Sequence, residues 1–157
     1  MSHLTKFSFG GASAVITSLA FIVGLSTVAN NKMIIISSLL VFAIADNISD
    51  SLGFHIYQES DLKRPRTVAT STFFNFVTRL VVIGVFILFV ALLPTEIFMI
   101  LSILWGLALL SLLSIEIAKE QKMDPIMTAL RHISIAVLVI LASFLLRAYI
   151  TGFFTSF

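Results

Sequence analysis

The sequence predicts an all-α integral membrane protein with five transmembrane helices, and three observations carry that expectation. Of its 157 residues, 59% are apolar and only 11% are charged, whereas a soluble domain carries about 25% charged residues to cover its wet surface. Five stretches reach the roughly 20 predominantly apolar residues that a helix needs to cross a hydrocarbon core of about 30 Å. The segments between them are short, so no soluble domain fits in the linkers and residues 1–157 read as a single transmembrane domain.

Taken in order, the spans are 10–29, 33–57, 71–93, 96–118 and 130–154. The first, GGASAVITSLAFIVGLSTVA, has no charge and full span length, and no small-residue cleavage site follows it, so it reads as a helix and not as a signal peptide. Asn30-Asn31-Lys32 links it to the second, MIIISSLLVFAIADNISDSLGFHIY, which carries two acids. After QESDLKRPRTVAT comes the third, which holds Asn75, Thr78 and Arg79 and ends at Leu93-Pro94. The fourth runs to KEQKMDPIMTAL, and the fifth carries Arg147 in its second half. An odd number of spans excludes two halves of equal helix count, and no internal repeat or low-complexity tract is visible.

Short loops rich in Lys and Arg mark the cytoplasmic side. With the N-terminus inside, that side holds Lys6, Lys63, Arg64, Arg66, Lys119, Lys122 and Arg131, against Lys32 alone in the loops outside. The expected topology is therefore N-terminus cytoplasmic and C-terminus outside. The absence of Cys excludes disulfides and thiolate metal sites. The net charge of +2 comes from ten basic and eight acidic residues and does not point to nucleic acid. No Walker A sequence, nucleophile elbow or H-E-x-x-H appears, so the chain is not expected to be an enzyme.

Charges inside a span cost about 2.5 to 3.5 kcal/mol each on insertion scales, so they call for a partner, a wet path or a task. Asp46 and Asp50 lie four apart on one helical face, which Gly53 and Tyr57 continue. Two carboxylates one turn apart repel, so one tends to hold a proton unless a cation sits between them. Oxygen ligands suit Mn2+, Fe2+ or Mg2+ better than Cu(I), and Asn47 and Ser49 add neutral oxygens. Counted from the cytoplasmic ends, Asp50 and Arg79 fall at nearly the same depth, which predicts an ion pair and, with it, a purely structural alternative.

Ser13, Thr17, Ala20, Gly24 and Thr27 share one face of the first helix, a small-residue stripe that reads as a packing face or as one wall of a path beside Asp46 and Asp50. His55, Glu59 and Asp61 at the inner end of the second helix, and Glu116, Glu120 and Asp124 at that of the fourth, read either as a cation-gathering entrance or as solvated helix ends. Arg147 is expected to snorkel or to meet Glu96, and His132 to lie at the interface. The 15 Phe residues are assigned to lipid and packing.

Several segments resemble the vacuolar iron transporter family. GGASAVITSLAFIVGL is similar to that family's first helix, AIADNISDSLGFHIYQES to its second, RPRTVATSTFFNF to its third and TALRHISIAVLVILASFLLRAYITG to its fifth. The resemblance implies a homodimer that exports Fe2+ or a similar divalent ion from the cytosol in exchange for protons, along a path at the dimer interface. There are departures. Ser13 and Ala14 stand where the family has Asp and Gly, Asp50 stands where it has a metal-contacting Met, and Asp46 replaces a small residue. The family's metal-collecting helices between spans two and three are missing, and without the soft Met ligand Mn2+ ranks beside Fe2+.

The expectation is thus a proton-coupled antiporter of Fe2+ or Mn2+ in a lipid bilayer, the simplest being a prokaryotic plasma membrane. Asp46 and Asp50 would bind the metal, Asn47, Ser13 and Thr17 would assist, and Arg79 would be a charge partner. His55, Glu59 and Glu116 would form the cytoplasmic entrance. No permanently bound cofactor is expected. The rival is a membrane interaction or scaffold protein in which the acids only pair with Arg79.

Overall fold

The computed structural model describes the backbone of residues 3–26, 32–61 and 64–155, and the side chains of residues 10–26, 32–61 and 64–153. Among these residues the chain is entirely helical: α1 (His3–Leu25), α2 (Lys32–Val41), a π-helical turn (Phe42–Asp46), α3 (Asn47–Ser60), α4 (Pro65–Leu92), α5 (Thr95–Gln121) and α6 (Pro125–Thr155). The segments α2, π turn and α3 run on as one rod, Lys32–Ser60. Four rods are long and apolar enough to cross a membrane, namely Lys32–Ser60, Pro65–Leu92, Thr95–Gln121 and Pro125–Phe153; the apolar stretch of α1, Gly10–Leu25, is shorter.

The helices overrun the apolar windows that located them. The third begins at Pro65 and not at 71, the fifth at Pro125 and not at 130, and the first runs from His3 to Leu25 where 10–29 was expected. Hydropathy marks only what faces hydrocarbon, while backbone hydrogen bonding continues until a cap or a proline stops it. All three prolines sit at helix starts: Pro65 and Pro125 are the first residues of α4 and α6, and Pro94 caps α5. Asp124 Oδ1 accepts from the backbone N–H groups of Ile126 (2.8 Å) and Met127 (2.9 Å), capping α6, and the left-handed Lys122 ends α5. At the other end, Lys32 Nζ donates to the carbonyl of Leu93 at 2.6 Å, which places a cation on the negative end of α4. Thr27 of the small-residue stripe and Lys63 of the basic loop lie outside the described residues.

The helix α1 is the hub, packing against α2, α4, α5 and α6. Its Ala14, Val15, Leu19 and Ile22 are fully buried against Ile83, Phe86 and Val90 of α4 and Phe98 and Leu110 of α5. The closest approaches are made by Gly10 and Gly11: a Cβ on Gly10 would lie 2.5 Å from Asn75 Oδ1, and one on Gly11 2.9 Å from Leu113 Cδ1. The packing face thus lies beside the one expected, since Gly10, Gly11, Ala14 and Ser18 are buried while Ser13, Thr17, Ala20 and Gly24 are half-buried. The four-three stepping of small residues is satisfied by both faces, and only the neighbours choose between them. On α6 most side chains are exposed, because among the described residues it packs mainly against α1 and α5.

Candidate functional site

The central feature is Arg79 on α4, whose side chain is only 1% exposed. Its Nη1 donates to Asp50 Oδ2 and to Ser13 Oγ, both at 2.8 Å, and its Nη2 donates to Asp46 Oδ2 at 2.6 Å. Phe42 covers the guanidinium, with its ring centroid 5.6 Å from Cζ, a cation over an aromatic face. One group therefore ties α1, α4 and the Lys32–Ser60 rod together. The expected pair of Asp50 with Arg79 is present, and Asp46 joins it.

The π turn helps aim Asp46. In a π turn each N–H reaches five residues back, as the Asn47 N–H does to the Phe42 carbonyl. The extra residue rotates the rod ahead of it, which brings Phe42 and both carboxylates onto the same guanidinium. Neither Pro nor Gly occurs in the turn sequence FAIAD, so nothing in the local sequence announced it.

Two carboxylates against one guanidinium carry a formal charge of −1 when both are ionised. That charge is not sealed in. The Asp46 side chain is 51% exposed and that of Asp50 28%, and Asp46 lines a hollow of about 470 Å³ with Phe21, Ser37, Ser38, Val41 and Phe42. Asp46 is also the middle residue of Lys32–Ser60, so this opening lies halfway along the rod, where Val41 and Ala45 of its lining are exposed.

Beside the ion pairs runs a buried polar seam between α3 and α4. Asn47 Nδ2 donates to the Phe76 carbonyl at 3.0 Å, Ser51 Oγ to Asn47 Oδ1 at 3.4 Å, and Asn75 Nδ2 to Ser51 Oγ at 3.3 Å. Further along, Ser71 Oγ donates to Gln58 Oε1 at 2.6 Å, with both residues buried. The carboxamide of Asn47 is thus committed to holding α4 and does not reach the carboxylate side. Thr17, half-buried on α1, is outside the Arg79 network, whereas Ser13 belongs to it. Sequence reasoning passed over Ser71 and Gln58. The signal was present in the steps of four from Ser71 to Asn75 to Arg79, which repeat one helical face.

The entrance residues are not gathered at the carboxylates. His55 Nδ1 lies 3.2 Å from Thr72 Oγ1 and its Nε2 3.3 Å from Glu59 Oε1. At 100° per residue His55 is about 180° around the helix from Asp46, and it lines a separate hollow with Ile48, Leu52 and Phe73. Glu116 pairs with Lys119 on α5 at 2.7 Å. Among the described residues no group of three or more His, Asp and Glu side chains is placed to hold a metal ion.

No protein-family model matches the chain, and no curated protein matches it in sequence.

Among the described residues two buried atoms at the network's core stand without a partner: Arg79 Nε, a donor, and Asn75 Oδ1, an acceptor. They belong to residues one turn apart on α4. Gly10 is what admits them, because any larger residue would press on Asn75 and on Arg79 Cγ.

Proposed function

We propose that this chain is a proton-coupled divalent metal ion transporter that exports Fe2+ or Mn2+ from the cytosol, working as a homodimer. The observation that carries the reading is the shared guanidinium: Asp46 and Asp50 divide one positive charge and keep one negative charge, half-exposed at the middle of a span. A lone charge in hydrocarbon is expensive, so the face carrying Asp46 needs a cover that tolerates it. A second copy related by a two-fold axis would set two such centres against each other. Their formal charge of −2 matches a divalent cation, and two protons match it equally well, which is the exchange an antiporter performs. Asp46 would be the metal ligand and proton acceptor, with Asp50 as its partner and Ser37 and Ser38 as neutral oxygens in the same hollow. Arg79 would hold the carboxylates apart from collapse when neither cation is bound.

The proposed topology has five spans with the N-terminus in the cytoplasm, and α1 completes the set with the stretch ahead of Gly10. Arg64 and Arg66 at the start of α4 and Lys119 and Lys122 at the end of α5 gather at one end of the bundle, with Arg131 about two turns into α6, and this basic end supports that orientation. A prokaryotic plasma membrane and kinship with the vacuolar iron transporters belong to the same reading and rest on the segments quoted above. The test is metal uptake into proteoliposomes under a pH gradient. Wild type is expected to transport, and Asp46→Asn and Asp50→Asn to lose most of the rate. Equal transport by all three removes the assignment.

One observation favours the rival scaffold reading: both carboxylates already hydrogen-bond to Arg79, and no third acidic or His ligand stands near them among the described residues. Exchanging the charges separates the two. If Asp50→Arg combined with Arg79→Asp regains full stability and the parent binds no Mn2+ by calorimetry, the network is structural.

A further inference from the structure

At the end of the bundle where α4 passes to α5, a crevice of about 540 Å³ opens between α1, α5 and α6. Its walls are strongly polarised along the helix axes. Thr95, Glu96 and Arg147 stand at one end, and Ile103, Ile140 and Val23 line the part away from them. From Thr95 to Ile103 is eight residues, or about 12 Å of helix rise, which is most of one leaflet's half of a hydrocarbon core about 30 Å thick. An elongated apolar slot with charge at its mouth has the shape of one amphiphile lying along the helices.

The mouth holds one charge of each sign. Among the described residues neither Glu96 nor Arg147 has an ion-pair partner, although both line the same crevice. Arg147 lies over the Phe144 ring, with Cζ 5.1 Å from the centroid, which holds the guanidinium at the rim. Glu96, exposed in the first turn of α5, is kept there by the positive end of its own helix. Two opposite charges at one rim that do not neutralise each other fit a ligand that is itself zwitterionic.

We propose that this crevice binds a phospholipid of the phosphatidylethanolamine class, with an acyl chain along Ile103 and Ile140, the phosphate on Arg147 and the ammonium on Glu96. The planar guanidinium matches phosphate oxygens in pairs. A primary ammonium offers three N–H donors to Glu96, whereas a quaternary choline offers none, so the rim discriminates between headgroups of equal net charge. The proposal does not depend on ion transport.

Native mass spectrometry of the purified protein, equilibrated with equal amounts of phosphatidylethanolamine, phosphatidylcholine and phosphatidylglycerol in detergent, tests it. Wild type is expected to retain phosphatidylethanolamine several-fold over the other two. Glu96→Gln should lower it to the phosphatidylcholine level, Arg147→Gln should lower retention of every phospholipid, and the charge-keeping Glu96→Asp and Arg147→Lys should preserve the preference. Ile140→Trp, which fills the apolar end and leaves both charges in place, should reduce retention severalfold, and this covers the case in which Arg147→Gln does not fold. Equal retention of the three lipids by wild type, a preference unchanged in Glu96→Gln, or selection of phosphatidylglycerol over phosphatidylethanolamine would each overturn the proposal.

Discussion

Two helix seams in this bundle are held together by opposite means. Between α1 and α5 the contact is apolar and depends on size, with Leu19 seated against Gly106, where a Cβ would come within 2.9 Å of its Cδ1, and Phe98 and Leu110 buried around it. Between α4 and the second half of the Lys32–Ser60 rod the contact is polar, from Gln58 and Ser71 through Ser51, Asn75 and Asn47 to the carboxylates on Arg79, while Ile35 and Leu39 of the first half join the apolar core. An apolar seam in a bilayer gains little from the hydrophobic effect and is held by close packing. A polar seam is held because every group in it would otherwise be unpaired in hydrocarbon. The first kind tolerates change of chemistry but not of volume, whereas the second does not tolerate loss of a polar partner. A protein that only needed cohesion could have used the first kind throughout, which makes the second the place to look for function.

Removing the charge at the centre of the polar seam should have the largest effect. Arg79→Leu leaves two carboxylates facing each other without a cation, and loss of one partner from a buried ion pair costs about 3–5 kcal/mol. Thermal unfolding in detergent should show this as a severe loss, largely recovered when Asp46→Asn and Asp50→Asn are added. If the triple variant is no more stable than Arg79→Leu alone, the ion pairs are not what holds this seam.

Glycine substitutions compare the contact of α1 with Asn75 and Arg79, the α1–α5 seam and an open face. Gly10→Ala would drive a methyl group into Asn75 Oδ1 at 2.5 Å and the backbone oxygen of Asn75 at 2.8 Å, neither of which has room to retreat, so a loss of about 2–3 kcal/mol is expected. Gly106→Ala meets only the end of the Leu19 side chain and should cost about 1 kcal/mol. Gly53→Ala meets nothing within 4 Å and should gain about 0.5 kcal/mol through helix propensity. Unfolding midpoints that rank these three in another order would contradict the packing described.

Between the Gly10 and Gly106 effects in size is Ser71→Ala, which leaves Gln58 Oε1 without its donor in a buried place. Loss of one neutral hydrogen bond with an unsatisfied acceptor costs about 1–2 kcal/mol. The matched change Ser111→Ala on α5 removes only a bond to the carbonyl one turn back and should be close to neutral. Equal effects at the two serines would mean that the polar seam is no more demanding than the apolar one.

Much of this was legible in the residues alone, because charge in a membrane is scarce and therefore informative. Counting residues from the loops placed Asp50 and Arg79 at one depth, and helical spacing placed Asp46 on the same face. The apolar windows located the four long rods, although their ends were missed wherever a helix continued into polar sequence, as at Pro65. Three things were hidden. The π turn carries no residue signature, so the exact aim of Asp46 could not be read. The choice between the Gly10 and Ser13 faces of α1 depends on which neighbour is pressed against it, and both faces hold small residues. His55 and Glu59 are close to Asp50 in sequence but point elsewhere, a consequence of rotation per residue that a count of depth does not register.

The central claim is that Asp46 and Asp50 share one guanidinium and keep one negative charge free for either a metal ion or protons. Its most direct measurement is loss of protons from the lumen of proteoliposomes, recorded with a trapped pH-sensitive dye as Mn2+ is added outside with no imposed gradient. The account predicts that wild type couples Mn2+ entry to alkalinisation of the lumen and that Asp46→Asn abolishes both signals together. Mn2+ entry with no proton movement, or coupled signals unchanged in Asp46→Asn, would contradict it.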